Sequence, residues 1–173
     1  MPKQNTPISP LLDIANYHED AEKSLRLYFS PDNPDYLARF ATDLPSEVAE
    51  KLKSRISETE IRSSLTVMAR IEAAFYIDYN ERCKNKGADA LSVEFRKIFK
   101  RRNRKARLDE DIWEGWRKNS DPSMGALISQ LRSVFKFRHW IAHGRYWQSG
   151  NKFDFQATYL LADTVLTNFP LMG

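Results

Sequence analysis

The chain has 173 residues, enough for one domain with its own core, and no second domain is evident in it. Hydrophobic residues make up 42% and charged residues 29%, which excludes wholesale disorder. Cys83 is the single cysteine, so no internal disulfide can form and a reducing compartment is expected.

The first residues, Met-Pro-Lys-Gln-Asn-Thr-Pro-Ile-Ser-Pro, hold no apolar core of the signal-peptide kind. No uninterrupted apolar run approaches membrane-spanning length. The expectation is a cytoplasmic protein without a membrane partner. The formal charge of +4 is unevenly spread, because residues 96–107 hold eight basic side chains and no acidic one. Without those eight, 19 basic residues face 23 acidic ones, a net of −4. A mildly acidic protein with one strongly basic patch has the electrostatic footprint of a polyanion binder. The same run also serves as a plain solvated helix face, partly neutralised by Asp109, Glu110, Asp111 and Glu114.

Taken in chain order, nearly every segment reads as helix. The first starts at Ser9 or Pro10 and runs through Leu11, Leu12, Ile14, Ala15, Leu25 and Leu27 to Phe29, where Ser30-Pro-Asp-Asn-Pro34 breaks it. A short helix covers Asp35 to Ala41. Pro45 then opens a long helical region to about Lys86, with an interruption near Ser57, and Gly87 ends it. Further helices span Leu91 to about Lys105, Glu110 to Lys118, and Ser123 to His143. After Gly144, Arg145-Tyr-Trp147 and Phe153-Asp-Phe155 flank Gln148-Ser-Gly-Asn-Lys152 and predict a small β-hairpin. Asp154 caps a last helix through Asn168. The fold class expected is all-α, an up-and-down bundle of a single domain spanning 1–173.

Two helices carry more detail. In the long one, Leu65, Met68, Ala69, Phe75, Tyr76, Tyr79 and Cys83 recur at helical spacing, with Glu72 at the centre of the stripe. In the helix from Ser123, the stripe is Met124, Leu127, Leu131, Val134 and Phe135, and Arg138 continues it. Each helix thus directs one charge along its apolar side, where charges are costly unless paired. Glu72 and Arg138 are therefore expected to meet, the carboxylate orienting the guanidinium. The competing reading gives Glu72 a bundle end or another arginine such as Arg70.

The last turn of that helix reads Arg138-His-Trp-Ile-Ala-His143-Gly144. Arg138 stays charged and can hold phosphate oxygens in a planar fork. His143 titrates near neutrality, beside a helix C-terminus that favours its protonated form. Gly144 suits the cap. Arginine, a polar residue (here His139) and a histidine after four intervening positions resemble the Arg-x4-6-His signature of the HEPN superfamily. These are small helical bundles that include metal-independent ribonucleases of bacterial toxin and defence systems. The wider run Phe137 to Trp147 is similar to a branch of short bacterial HEPN proteins. Family members often carry Asn or Asp where this chain has His139. The resemblance covers about 65–166, leaving 1–64 as an N-terminal helical extension.

What the resemblance implies is a metal-independent endoribonuclease without cofactors, its composite site formed where two copies meet across one cleft. Arg138, His139 and His143 are the candidate catalytic residues, with Glu72, Arg145 and Tyr146 in support. A histidine takes the proton of a ribose 2′-hydroxyl, and Arg138 stabilises the charged phosphorane. The products implied are a 2′,3′-cyclic phosphate and a 5′-hydroxyl. The RNA backbone falls to Lys97, Lys100, Arg101, Arg102, Arg104, Lys105 and Arg107. The partners expected are RNA, a second copy, and an antitoxin or other restraining protein. The alternative is a HEPN module that binds nucleic acid or a protein without turnover.

Other chemistries fit less well. His139 and His143 are one turn apart, but Trp140 stands where a zinc protease motif needs Glu, and no third ligand is evident. Cys83 lies on an apolar stripe and reads as core. No tight helix-turn-helix pair precedes the basic helix.

Overall fold

The computed structural model describes residues 10–142 and 154–172. It is a bundle of helices, with no strand among the described residues. Helix α1 is Leu11–Tyr28, α2 Tyr36–Arg39, α3 Pro45–Asn85, α4 Ala90–Arg102, α5 Glu114–Lys118, α6 Pro122–Ala142 and α7 Phe155–Asn168. A short 3-10 turn (Asn103–Lys105) and a π-helical segment (Leu108–Trp113) join α4 to α5.

The helix boundaries have local causes. Glu47 accepts a hydrogen bond from the Leu44 N–H at 2.7 Å, and Pro45 occupies the first helical position of α3. Lys86 takes the left-handed conformation at φ 52°, and Gly87 follows where a Cβ would sit 2.8 Å from the Asp89 carboxylate. Asp89 caps α4 through the Ser92 N–H at 2.9 Å. Asp121 accepts from the N–H groups of Ser123 and Met124 at the start of α6, and Asp154 caps α7 through Gln156.

Helix α3 is the axis of the molecule: 41 residues, about 60 Å at 1.5 Å per residue. It runs unbroken through Ser57, where an interruption was expected; Glu58 and Arg62 pair one turn apart just beyond that point. Packing around α3 is uneven. Between its start and Arg62, Val48 is the one fully buried residue. From Ser63 onward α3 is surrounded, and Val67, Ile71, Phe75 and Tyr79 enter a core with Leu91, Phe95, Ile112, Trp113, Trp116, Ile128, Leu131, Val165 and Phe169. Each such side chain contributes about 1.5–3 kcal/mol on burial.

Two expected stripes are shifted. On α3 the fully buried residues from Ser63 onward are Ser63, Ser64, Val67, Met68, Ile71, Ala74, Phe75, Asp78, Tyr79 and Arg82. Met68, Phe75 and Tyr79 of the expected stripe are among them, whereas Ala69 is exposed and Glu72 sits on the flank. On α6, Ile128 and Phe137 are buried although absent from the expected stripe. Neighbours on both sides of α3 make nearly its whole circumference apolar, so the sequence pattern leaves the rotation of the helix open.

Two buried charges, Asp78 and Arg82, lie in the C-terminal turns of α3. The Asp78 carboxylate accepts from Arg82 Nε at 2.8 Å, from the Trp116 indole at 3.1 Å and from the Met172 N–H at 3.0 Å. Arg82 also donates to the Pro170 carbonyl at 2.9 Å and lies over the Trp116 ring. Burial pushes the Asp78 carboxyl above its ordinary range, against the pull of these donors. The knot ties the chain's last described residues to α3 and α5.

The expected hairpin lies mostly outside the described residues. Of its flanks, Phe155 belongs to α7, and its ring stacks on His18 at 3.9 Å.

Candidate functional site

Glu72 and Arg138 meet. The Glu72 carboxylate lies 2.9 Å from an Arg138 terminal nitrogen, linking the middle of α3 to the last turns of α6. Both side chains reach solvent, Glu72 at 26% and Arg138 at 44% exposure, so the guanidinium keeps N–H groups for a ligand. Its other face lies 5.7 Å from the Phe135 ring centroid. Phe135 in turn meets the buried Trp113 edge-on at 4.8 Å. Arg138 is therefore held from two directions before any ligand arrives.

His139 is exposed on the same helical turn, rotated about 100° from Arg138. Trp140 is half-buried and stacks on Phe137 at 5.3 Å, a packing role within α6. His143, Arg145 and Tyr146 lie outside the described residues. Of the expected catalytic trio, the structure thus places Arg138 and His139, and of the supporting residues Glu72.

One turn beyond Glu72, the Tyr76 hydroxyl donates to the Ala106 carbonyl at 3.0 Å. Burial raises the Tyr76 pKa, and the Glu72 carboxylate adds to the effect. A further turn on, Tyr79 donates to the Asn103 carbonyl at 3.3 Å. Glu72, Tyr76 and Tyr79 fall within about 60° of helical arc. Two tyrosines therefore pin the C-terminal part of the basic run to the flank of α3 that carries Glu72 and Arg138. Features separate in the sequence are adjacent in space.

Within the basic run, many side chains already have partners. Arg96 donates to the Gly87 carbonyl at 2.8 Å, Lys97 lies 3.7 Å from Glu94, and Arg107 lies 2.8 Å from Glu110. Arg101 and Arg102 both reach Asp111, at 3.5 and 3.2 Å. Lys100 and Lys105 are exposed, and Arg104 stands in the 3-10 turn. Of the acidic segment after the run, Glu110 and Asp111 are therefore its internal counter-charge, whereas the other acids turn to other arginines. Asp109 binds Arg132 of α6, and Glu114 holds Arg117 and also meets Arg132. These contacts with Arg117, first of all, hold the Glu114 carboxyl at about 2.

Asp111 is one of the acids expected to neutralise the run; that it is 3% exposed was not legible from its position four residues after the last arginine. Cys83 is half-buried beside Tyr79, and burial pushes its thiol up, the opposite of what a nucleophile needs. Among the described residues no three His, Cys, Asp or Glu side chains converge as a metal site does. Among the same residues no helix is long and apolar enough to cross a membrane.

No family model, curated protein or solved structure matches the chain.

Proposed function

We propose that the protein is a metal-independent endoribonuclease of the HEPN type, acting on RNA as a homodimer in a toxin or defence setting. The observation that carries this reading is the Glu72–Arg138 ion pair at 2.9 Å. It fixes a half-exposed guanidinium beside His139, on the flank of α3 against which the basic segment is pinned. Arg138 meets the non-bridging oxygens of a phosphate, and the basic segment carries the flanking backbone.

In the reaction, one histidine of the motif removes the 2′-hydroxyl proton. The 2′-oxygen attacks the neighbouring phosphorus, and the bond from phosphorus to the 5′-oxygen breaks. A protonated histidine delivers a proton to that leaving oxygen. The products are a 2′,3′-cyclic phosphate and a 5′-hydroxyl, with no net change in protons. His143 and His139, from one or both copies, fill the two roles. Arg138 gives its benefit as charge builds on the phosphorane.

The test is incubation of wild-type protein and of His143→Ala and Arg138→Ala variants with end-labelled structured RNA in excess chelator. Cleavage by wild type alone, leaving cyclic phosphate ends, is the expected result. Equal RNA binding by all three without cleavage would instead identify a binding module. An Arg138 already engaged by a carboxylate suits that second reading too.

A further inference from the structure

The segment joining α4 to α5 is built around one buried carboxylate. Leu108–Trp113 is π-helical, a rare geometry that is frequent at functional sites. Within it, Asp111 Oδ2 accepts the Arg107 N–H at 2.8 Å and lies 3.2 Å from Arg102 Nε. Its other oxygen lies 3.5 Å from a terminal nitrogen of Arg101. Asp111 is 3% exposed, while Arg102 and Arg101 are 39% and 68% exposed. Both arginines therefore meet Asp111 through one nitrogen while their side chains keep surface in contact with solvent. Elsewhere in the run, Lys97 and Arg107 lean on surface carboxylates, and Lys100 and Lys105 are single point charges.

We propose that Asp111 is a positioning residue for phosphate recognition, gripping Arg102 and steadying Arg101 so that their outer edges form a preformed clamp for an RNA backbone. The inference rests on the RNA-binding reading above and makes it specific. A guanidinium anchored at one edge has less rotamer freedom to lose when a phosphate docks at the other. The tyrosine bonds to Ala106 and Asn103 hold the intervening backbone in place.

The sign of the effect separates this from bare electrostatics. Removing a negative charge from a basic patch should strengthen polyanion binding if charge alone matters. A positioning role reverses that expectation. The experiment is fluorescence anisotropy with a labelled oligouridylate bearing 2′-O-methyl riboses, which cannot be cut by 2′-oxygen attack. Affinities are read across a salt series for wild type, Asp111→Asn, Arg102→Ala and the double variant. We expect Asp111→Asn to bind about fivefold more weakly, with a salt slope lower by about 1. The double variant should bind no worse than Arg102→Ala.

Tighter or unchanged binding by folded Asp111→Asn, beside salt-sensitive wild-type binding, overturns the positioning role and leaves the RNA reading standing. Wild type that fails to bind overturns both. If Asp111→Asn does not fold, Arg102→Lys decides, since a lysine keeps the charge but cannot offer two edges. Binding as weak as Arg102→Ala supports the clamp, and binding like wild type overturns it.

Discussion

Glu72 and Arg138 form the one ion pair found between α3 and α6 among the described residues, and both remain in reach of water. Half-exposed pairs of this kind contribute at most about 1 kcal/mol to stability. Glu72→Gln should therefore leave the melting temperature nearly unchanged. If the pair aims Arg138 at phosphate, the same variant should lower RNA cleavage about tenfold, as misplacing a transition-state contact does. Cleavage rates in chelator and a thermal melt on one sample check both. Full activity in Glu72→Gln would remove Glu72 from the site.

The buried knot predicts the opposite pattern. Arg82→Ala leaves the Asp78 carboxylate at 0% exposure without its cation and strips a donor from Pro170. The expected cost is about 3–5 kcal/mol, large against the stability of a small domain. Urea denaturation followed by circular dichroism reads it directly. A shift of less than about 1 kcal/mol would show that the tail docks by its apolar residues alone.

Glu114 makes part of the stability acid-sensitive. Its folded pKa of about 2 lies below the ordinary glutamate value near 4.3. The stabilisation it gives is present above the unfolded value and is lost as pH falls toward the folded one. The melting-temperature gap between wild type and Glu114→Gln should be constant above about pH 5 and close by about pH 2. A gap independent of pH would mean that the contacts to Arg117 and Arg132 contribute through packing rather than charge.

Gly115 is a packing test. A Cβ there would lie 2.7 Å from the ring of Phe95, which is itself fully buried. The ring packs edge-on against the buried Tyr79, and α5 carries the buried Trp116, so neither can retreat without disturbing a neighbour. Gly115→Ala should cost about 1–3 kcal/mol despite the gain in helix propensity. Chemical denaturation of the variant measures this, and an unchanged midpoint would show room in the core that the geometry denies.

How legible all this was in the sequence depended on range. Caps and breakers are local, so Pro45, Gly87 and Asp154 marked their helix ends within a residue or two. The meeting of Glu72 and Arg138 was also readable, because each is a charge beside an apolar stripe and needs a counter-charge. Burial depth was not readable. Asp78 and Arg82 are spaced like any surface i, i+4 pair, and only the returning tail and Trp116 bury them. The basic run was readable only in part. Its charge count and acidic neighbours were plain, but the burial of Asp111 between Arg101 and Arg102 depends on a π-helical turn that no periodicity announces.

The hydrogen bond from the Met172 N–H to Asp78 spans 94 residues and joins the last described stretch of chain to the C-terminal part of the axis helix. During synthesis, α3 is complete long before that donor exists. Until then, Asp78 either stays hydrated or is buried short of a partner, and Arg82 lacks the Pro170 carbonyl. A nascent chain can assemble α1, α3 and α4 but cannot close the centre of the molecule. Consolidation of the core therefore waits for residues 170–172 to emerge, and a ribosome-stalled chain ending before them should remain open to proteases along the C-terminal part of α3.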